Sequence, residues 1–242
     1  MDFNQIVQTV AIYALPVLLA ITLHEAAHGY VARHLGDMTA YAQGRVSLNP
    51  ARHIDFVGTI VVPLAILFFS SGKFLFGWAK PVPVNYSALR NPRRHMAWVA
   101  AAGPGANLVM AILWALVLRL GVALSSRSES WESLARLRGT GAVVDAVIRY
   151  GSGTAEFLIG MGAAGVLVNL VFMLLNLLPI PPLDGGRILT SVLPHRAAWR
   201  FAKLEPWGLP LLLLLLVTNV LAFVLTPLLA ESEALIRAFV LL

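Results

Sequence analysis

Charge is missing from four long stretches of this chain: Phe3–Leu23, Met96–Leu118, Phe157–Leu183 and Pro206–Ala230. Each is long enough to cross the hydrocarbon core of a bilayer, which takes about 20 apolar residues as helix. Lipid gives a bare backbone no hydrogen-bond partner, so a spanning segment is either a helix or a strand of a closed barrel. Continuous apolar runs, without alternation, select the helix. With 58% hydrophobic and 12% charged residues among 242, the sequence predicts an all-α polytopic membrane protein with a single membrane-embedded domain over 1–242. A fifth uncharged run, Phe56–Gly72, has only 17 residues with Pro63 in its middle. It is short for a span and reads as a re-entrant or broken segment.

Between the runs, Ala40–Leu48 reads as short strands turning at Gly44, a β-hairpin after the first helix. Pro81 and Pro83 favour an extended segment through Val82 to Asn85. Trp131, Leu134 and Leu137, then Val143, Val147 and Tyr150, repeat at helical spacing and predict short interfacial helices. The expected core helices are about 4–35, 95–120 and 156–178, with further membrane segments at about 56–72 and 206–230.

The net charge of +6 belongs to basic loops beside a membrane and not to a nucleic-acid face, because the cations flank apolar runs. If the end of the first helix is cytoplasmic, the loops on that side hold 12 of the 18 Lys and Arg residues. That distribution predicts a multi-pass protein of the cell membrane whose site faces the cytoplasmic side. There are no cysteines, so disulfides and thiolate metal sites are excluded.

The segment His24-Glu25-Ala26-Ala27-His28 ends the first apolar run. Residues four apart on a helix lie about 40° apart around its axis, so both imidazoles face one way. That spacing suits one zinc ion, with Glu25 as the general base acting on water. Such polar groups are costly at membrane depth, about 2.5 kcal/mol or more for an ionised one near the centre. Two histidines leave a tetrahedral zinc short of ligands. Asp184 is the natural third, because Pro179, Pro181 and Pro182 hold it on stiff, irregular backbone at the end of a membrane helix. Capping a helix or pairing with Arg187 are other uses for that carboxylate. Peptide hydrolysis also needs a donor for the developing oxyanion, and either Asn176 or Asn107 can supply one. Asn107 equally suits a plain interhelical hydrogen bond. Gly103, Pro104 and Asn107 fall in one kinked, small-residue stretch that lets another helix approach. His34, His53, His95 and His195 read as loop or interfacial histidines.

In these motifs the chain resembles the site-2 proteases, the zinc intramembrane metalloproteases. His24-Glu25-Ala-Ala-His28 matches their His-Glu-x-x-His helix. Asn176 through Asp184-Gly185 matches their second signature, and Gly103-Pro104 with Asn107 matches a segment of their middle core helix. The resemblance runs from about Leu15 to Leu193. It implies one Zn2+ held by His24, His28 and Asp184, Glu25 as catalytic base, and Asn176 assisting the tetrahedral intermediate. It also implies a three-helix catalytic core and substrates that are transmembrane segments of other proteins; the chain departs from some relatives in having no room for a PDZ domain and reads as a compact member. Arg45, Val46 and Ser47, in the expected hairpin, are candidates for holding an unwound substrate by strand addition. Two other functions fit the composition: a transporter or channel with an intramembrane metal or proton site, and a non-catalytic scaffold that binds membrane segments.

Overall fold

A computed structural model of the chain describes residues 3–62, 65, 79–125, 139–151 and 153–238. Helix α1 (Phe3–His34) fills the first apolar run and continues into the basic loop. A single turn, α2 (Thr39–Ala42), follows. Helix α3 (Pro92–Leu124) starts on a proline, whose missing N–H is no loss at a helix start. The Asn91 side chain accepts from Arg94 N–H there, at 3.3 Å. Then come α4 (Thr140–Tyr150), α5 (Thr154–Asn176), α6 (Asp184–Val192), α7 (His195–Ala202), α8 (Gly208–Val217) and α9 (Val220–Ile236).

Helices α1, α3 and α5 are long and apolar enough to cross a membrane. They form the core: α3 lies along α5, and α1 packs against both. Small residues allow this closeness, since lipid-embedded helices associate by packing. A β-carbon at Gly162 of α5 would fall 2.5 Å from the Leu118 nitrogen, and one at Gly165 would enter the Trp114 ring. One apolar cluster joins Ile12, Leu118, Val144, Val147 and Ile159, which ties α4 to the core. A second joins Met110, Trp114, Val166 and Leu170 with Ile236 of α9.

One expectation is corrected. The β-hairpin at Ala40–Leu48 is absent: no strand occurs among the described residues, and Thr39–Ala42 winds into a helical turn that carries Gln43 N–H onto Thr39 O at 3.2 Å and Arg45 N–H onto Ala40 O at 2.9 Å. Pro81 and Pro83 have no N–H to give a ladder. The donors that remain are taken elsewhere, Lys80 N–H by His53 O (2.9 Å), Val82 N–H by Glu25 and Asn85 N–H by Asp37. The Arg45 guanidinium covers the Lys80 and Pro81 carbonyls at 2.8 and 3.2 Å, so that edge is occupied as well. Asp37, fully buried, anchors the loop, accepting Thr39 N–H at 2.9 Å and Asn85 N–H at 2.7 Å. The extended character of Pro81–Asn85 is present without pairing.

The expected last span is broken. Near Thr218 the chain bends by 80° between α7–α8 and α9. Asn219 takes a left-handed conformation with φ of 60°, which an asparagine tolerates better than most residues. The Thr218 hydroxyl donates to Leu214 O at 2.7 Å, ending α8. A turn of wide, π-type helix covers Phe56–Val61. Residues 63–64 and 66–72 of the expected re-entrant segment, and the helical spacing at Trp131, Leu134 and Leu137, lie outside the described residues.

Candidate metal centre

His24 and His28 stand one turn apart on α1, their ring centroids 4.7 Å apart and their planes nearly perpendicular. Each Nδ1 has an acceptor. His28 Nδ1–H donates to Val99 O of α3 at 2.7 Å. His24 Nδ1–H donates to Asn107 Oδ1, also on α3, at 2.6 Å. With the proton on Nδ1, each Nε2 presents a bare lone pair.

Those lone pairs converge on a third donor. His24 Nε2 and His28 Nε2 are 3.1 Å apart, and Asp184 Oδ2 lies 3.2 and 3.3 Å from them. Asp184 Oδ2 is buried and has no conventional hydrogen-bond partner. A proton on one ring serves one of these contacts; a divalent cation serves all three. Zinc bonds of 2.0–2.1 Å in a tetrahedron put neighbouring ligand atoms about 3.3–3.4 Å apart. The observed triangle has nearly those edges, so the donor set fits one metal ion.

Gly103 explains why α3 can lie so close. A β-carbon there would sit 2.6 Å from His24 Cε1 and Nε2 and would strike His28 Nε2. Both rings therefore rest directly on α3 backbone. Pro104 is buried beside it.

Asp184 is placed by α6 and by what surrounds it. It opens that helix, where a carboxylate meets the positive end of the helix dipole. A β-carbon at Gly185 would collide with Leu177 O, and one at Gly208 of α8 with Pro181 O, so the proline loop is gripped on two sides. At the other end of α6, Arg93 of α3 caps the terminal carbonyls. It donates to Ser191 O at 2.7 Å and Val192 O at 3.2 Å, and also to Leu193 O. Arg187 pairs with Glu205 at 3.5 Å.

Glu25, next to His24, accepts Val82 N–H on Oε2 at 2.7 Å. The extended segment therefore lies across α1 at this point, and Gly29 one turn later makes room for Val82 and Val46.

The sequence profile of peptidase family M50 matches residues 12–217. The chain belongs to that family. It is 34% identical to YwhC of Bacillus subtilis, a protein named as a candidate zinc metalloprotease, over 92% of this chain and 88% of YwhC. It is 28% identical to Rip2 of Mycolicibacterium smegmatis, named likewise, over 84% of this chain and 66% of that protein. The Rip2 of Mycobacterium tuberculosis gives the same identity and coverage. No solved structure matches the chain. As an M50 member it is a zinc metalloprotease with apolar helices suited to a multi-pass membrane position.

Of the residues singled out in the M50 sequence, His24, His28 and Asp184 are brought together. Asn107 touches His24 directly and also bonds to α1 and α5, so it is both an interhelical link and a neighbour of the metal donors. Asn176 ends α5, and its Nδ2 donates to Phe172 O of its own helix at 3.0 Å. Arg45, Val46 and Ser47 hold the loop together: Arg45 on the Lys80 and Pro81 carbonyls, Val46 against Gly29, and Ser47 O accepting from His53 Nε2 at 2.8 Å. Sequence reasoning missed Asn169, Arg93, Gly208 and the Val82 N–H. Asn169 carried a readable signal, one of two amides in an uncharged run, seven residues and hence two turns before Asn176 on the same face.

Proposed function

We propose that this M50 chain hydrolyses peptide bonds in or beside transmembrane segments of other membrane proteins, at a site facing the cytoplasm. The observation that carries the reading is the buried triangle of His24, His28 and Asp184 on apolar membrane-length helices. His24, His28 and Asp184 would hold one zinc ion. Zinc, when bound, supplies Lewis-acid polarisation of the scissile carbonyl and lowers the pKa of water toward about 7.

The chain's own groups supply the proton traffic. Glu25 takes a proton from the attacking water as the oxygen joins the carbonyl carbon, then gives it to the amide nitrogen as the C–N bond breaks. The Val82 N–H on Oε2 holds the carboxylate in one orientation and leaves Oε1 to receive the proton. Asn176 would donate to the developing oxyanion. Its Nδ2 gives one N–H to Phe172 O, which leaves the second N–H to donate. The Lys and Arg excess in the loops adjoining His28, Arg93 and Asp184 supports the cytoplasmic placement.

The test is cleavage of a single-span substrate by purified protein in detergent, wild type against Glu25→Gln, with zinc measured on both. The expected result is cleavage by the wild type only, with about one zinc retained by each. Cleavage by a zinc-loaded Glu25→Gln protein would remove Glu25 as the base. A wild type that binds no zinc even when it is supplied would overturn the proposal and favour a transporter.

A further inference from the structure

We infer that Asn169 is a positioning residue of the metal centre: through Asn107 it sets the direction of a buried hydrogen-bond chain and so decides which nitrogen of His24 is bare. The inference rests on reading His24 as a metal ligand.

The direction follows from groups that can act in one sense only. The Gly165 carbonyl can only accept, so the amide of Asn169 that faces it at 2.9 Å is the NH2. Asn169 therefore turns its oxygen to Asn107, and Asn107 must answer with its own NH2, at 3.0 Å. The Ala20 carbonyl makes the same demand on that NH2 from 3.3 Å. The oxygen of Asn107 is then committed to His24 Nδ1, at 2.6 Å. Against an acceptor, Nδ1 has to carry the proton, and Nε2 is left with its lone pair toward His28 and Asp184. Both asparagines are fully buried, so water cannot relax the chain. Flipping Asn169 would oppose oxygen to oxygen at Gly165 and NH2 to NH2 at Asn107. The Ala20 contact, longest of the set, is the weaker determinant, and Asn169 is the stronger. The same chain joins α1, α3 and α5, so the tautomer is fixed only when all three helices have met.

Removing a partner one step behind a metal-ligating histidine weakens metal binding 10–100-fold. Asn169 stands two steps behind, which places Asn169→Leu at the low end, about tenfold weaker zinc by chelator competition. The discriminating readout is the tautomer itself. Nitrogen-15 NMR of metal-free protein in micelles should show His24 protonated on Nδ1 in the wild type and shifted toward Nε2–H in Asn169→Leu. Asn169→Asp should keep the wild-type tautomer and zinc affinity, because burial favours the neutral acid, whose O–H donates to Gly165 O while its other oxygen accepts from Asn107. Thr140→Val, which removes the hydroxyl's hydrogen bond to Glu233 between α4 and α9 and touches none of the three donors, should leave zinc binding unchanged. Wild-type tautomer and zinc affinity within twofold in a folded Asn169→Leu protein would overturn the inference. So would equal losses in the Leu and Asp variants. A wild type that binds no zinc would sink the ligand reading alone, since the tautomer comparison is made without metal.

Discussion

Replacing Gly103 by alanine adds one methyl group where the two imidazoles rest. Its carbon would lie 2.6 Å from His24 Cε1 and Nε2. Ordinary contact begins near 3.4 Å, so the rings must retreat by about 0.8 Å. A metal site tolerates displacement of about 0.2 Å in its ligand distances. The retreat exceeds this several-fold, and zinc affinity should fall at least 100-fold, equivalent to about 2.7 kcal/mol. Alanine in place of glycine within a helix otherwise gains about 0.5–1 kcal/mol, which is too little to offset the loss. The structure supplies its own control. A β-carbon at Gly105, two residues on in α3, would meet nothing within 4 Å, so Gly105→Ala should bind zinc as the wild type does. Chelator competition gives the dissociation constants, and far-ultraviolet circular dichroism checks that both variants stay helical. Gly103→Ala binding zinc within threefold of wild type would refute the packing argument, and an equal loss in Gly105→Ala would show that the loss is not local.

Val82→Pro keeps the extended backbone but deletes the N–H that holds Glu25. Hydrogen bonds to charged groups contribute about 1.5–3 kcal/mol, so kcat should drop tenfold or more with zinc content unchanged, and unchanged turnover would mean that the contact does not matter to Glu25. Zinc at 100 times its dissociation constant should stabilise the fold by about 2.7 kcal/mol, or about 5–10 °C in unfolding temperature for a chain of this size. A chelator should abolish that shift in the wild type and have no effect on Asp184→Asn. A shift that survives in Asp184→Asn would remove Asp184 from the ligand set.

The membrane helices are legible because soluble folds seldom run for about 20 residues without a charge, and α1, α3 and α5 follow those runs closely. The shared face of His24 and His28 is legible because helical geometry alone dictates it. What the sequence withholds is the partner in each contact. Gly103 reads as a small residue for a neighbouring helix, and only the fold says that the neighbour is a pair of imidazoles. The strand reading at Ala40–Leu48 fails because Thr39–Ala42 winds into a helical turn that takes the Gln43 and Arg45 N–H groups, and Pro81–Asn85 stays extended but unpaired because its Val82 and Asn85 N–H groups go to Glu25 and Asp37, residues distant in sequence. The break at Asn219 sits in a run whose hydrophobicity is continuous, and a backbone angle leaves no mark on hydropathy. Asn169 is easily overlooked because an amide in a span reads as neutral until its partner is known.

Asp184 follows His28 by 156 residues. A ribosome therefore delivers the two histidines and Glu25 to the membrane long before the carboxylate that completes the triangle. During that interval His24, Glu25 and His28 have no Asp184 beside them. Only after α5 has docked and Arg93 has secured the far end of α6 are all three donors within reach of one another. The triangle is thus a property of the assembled helices and of no single segment of the chain.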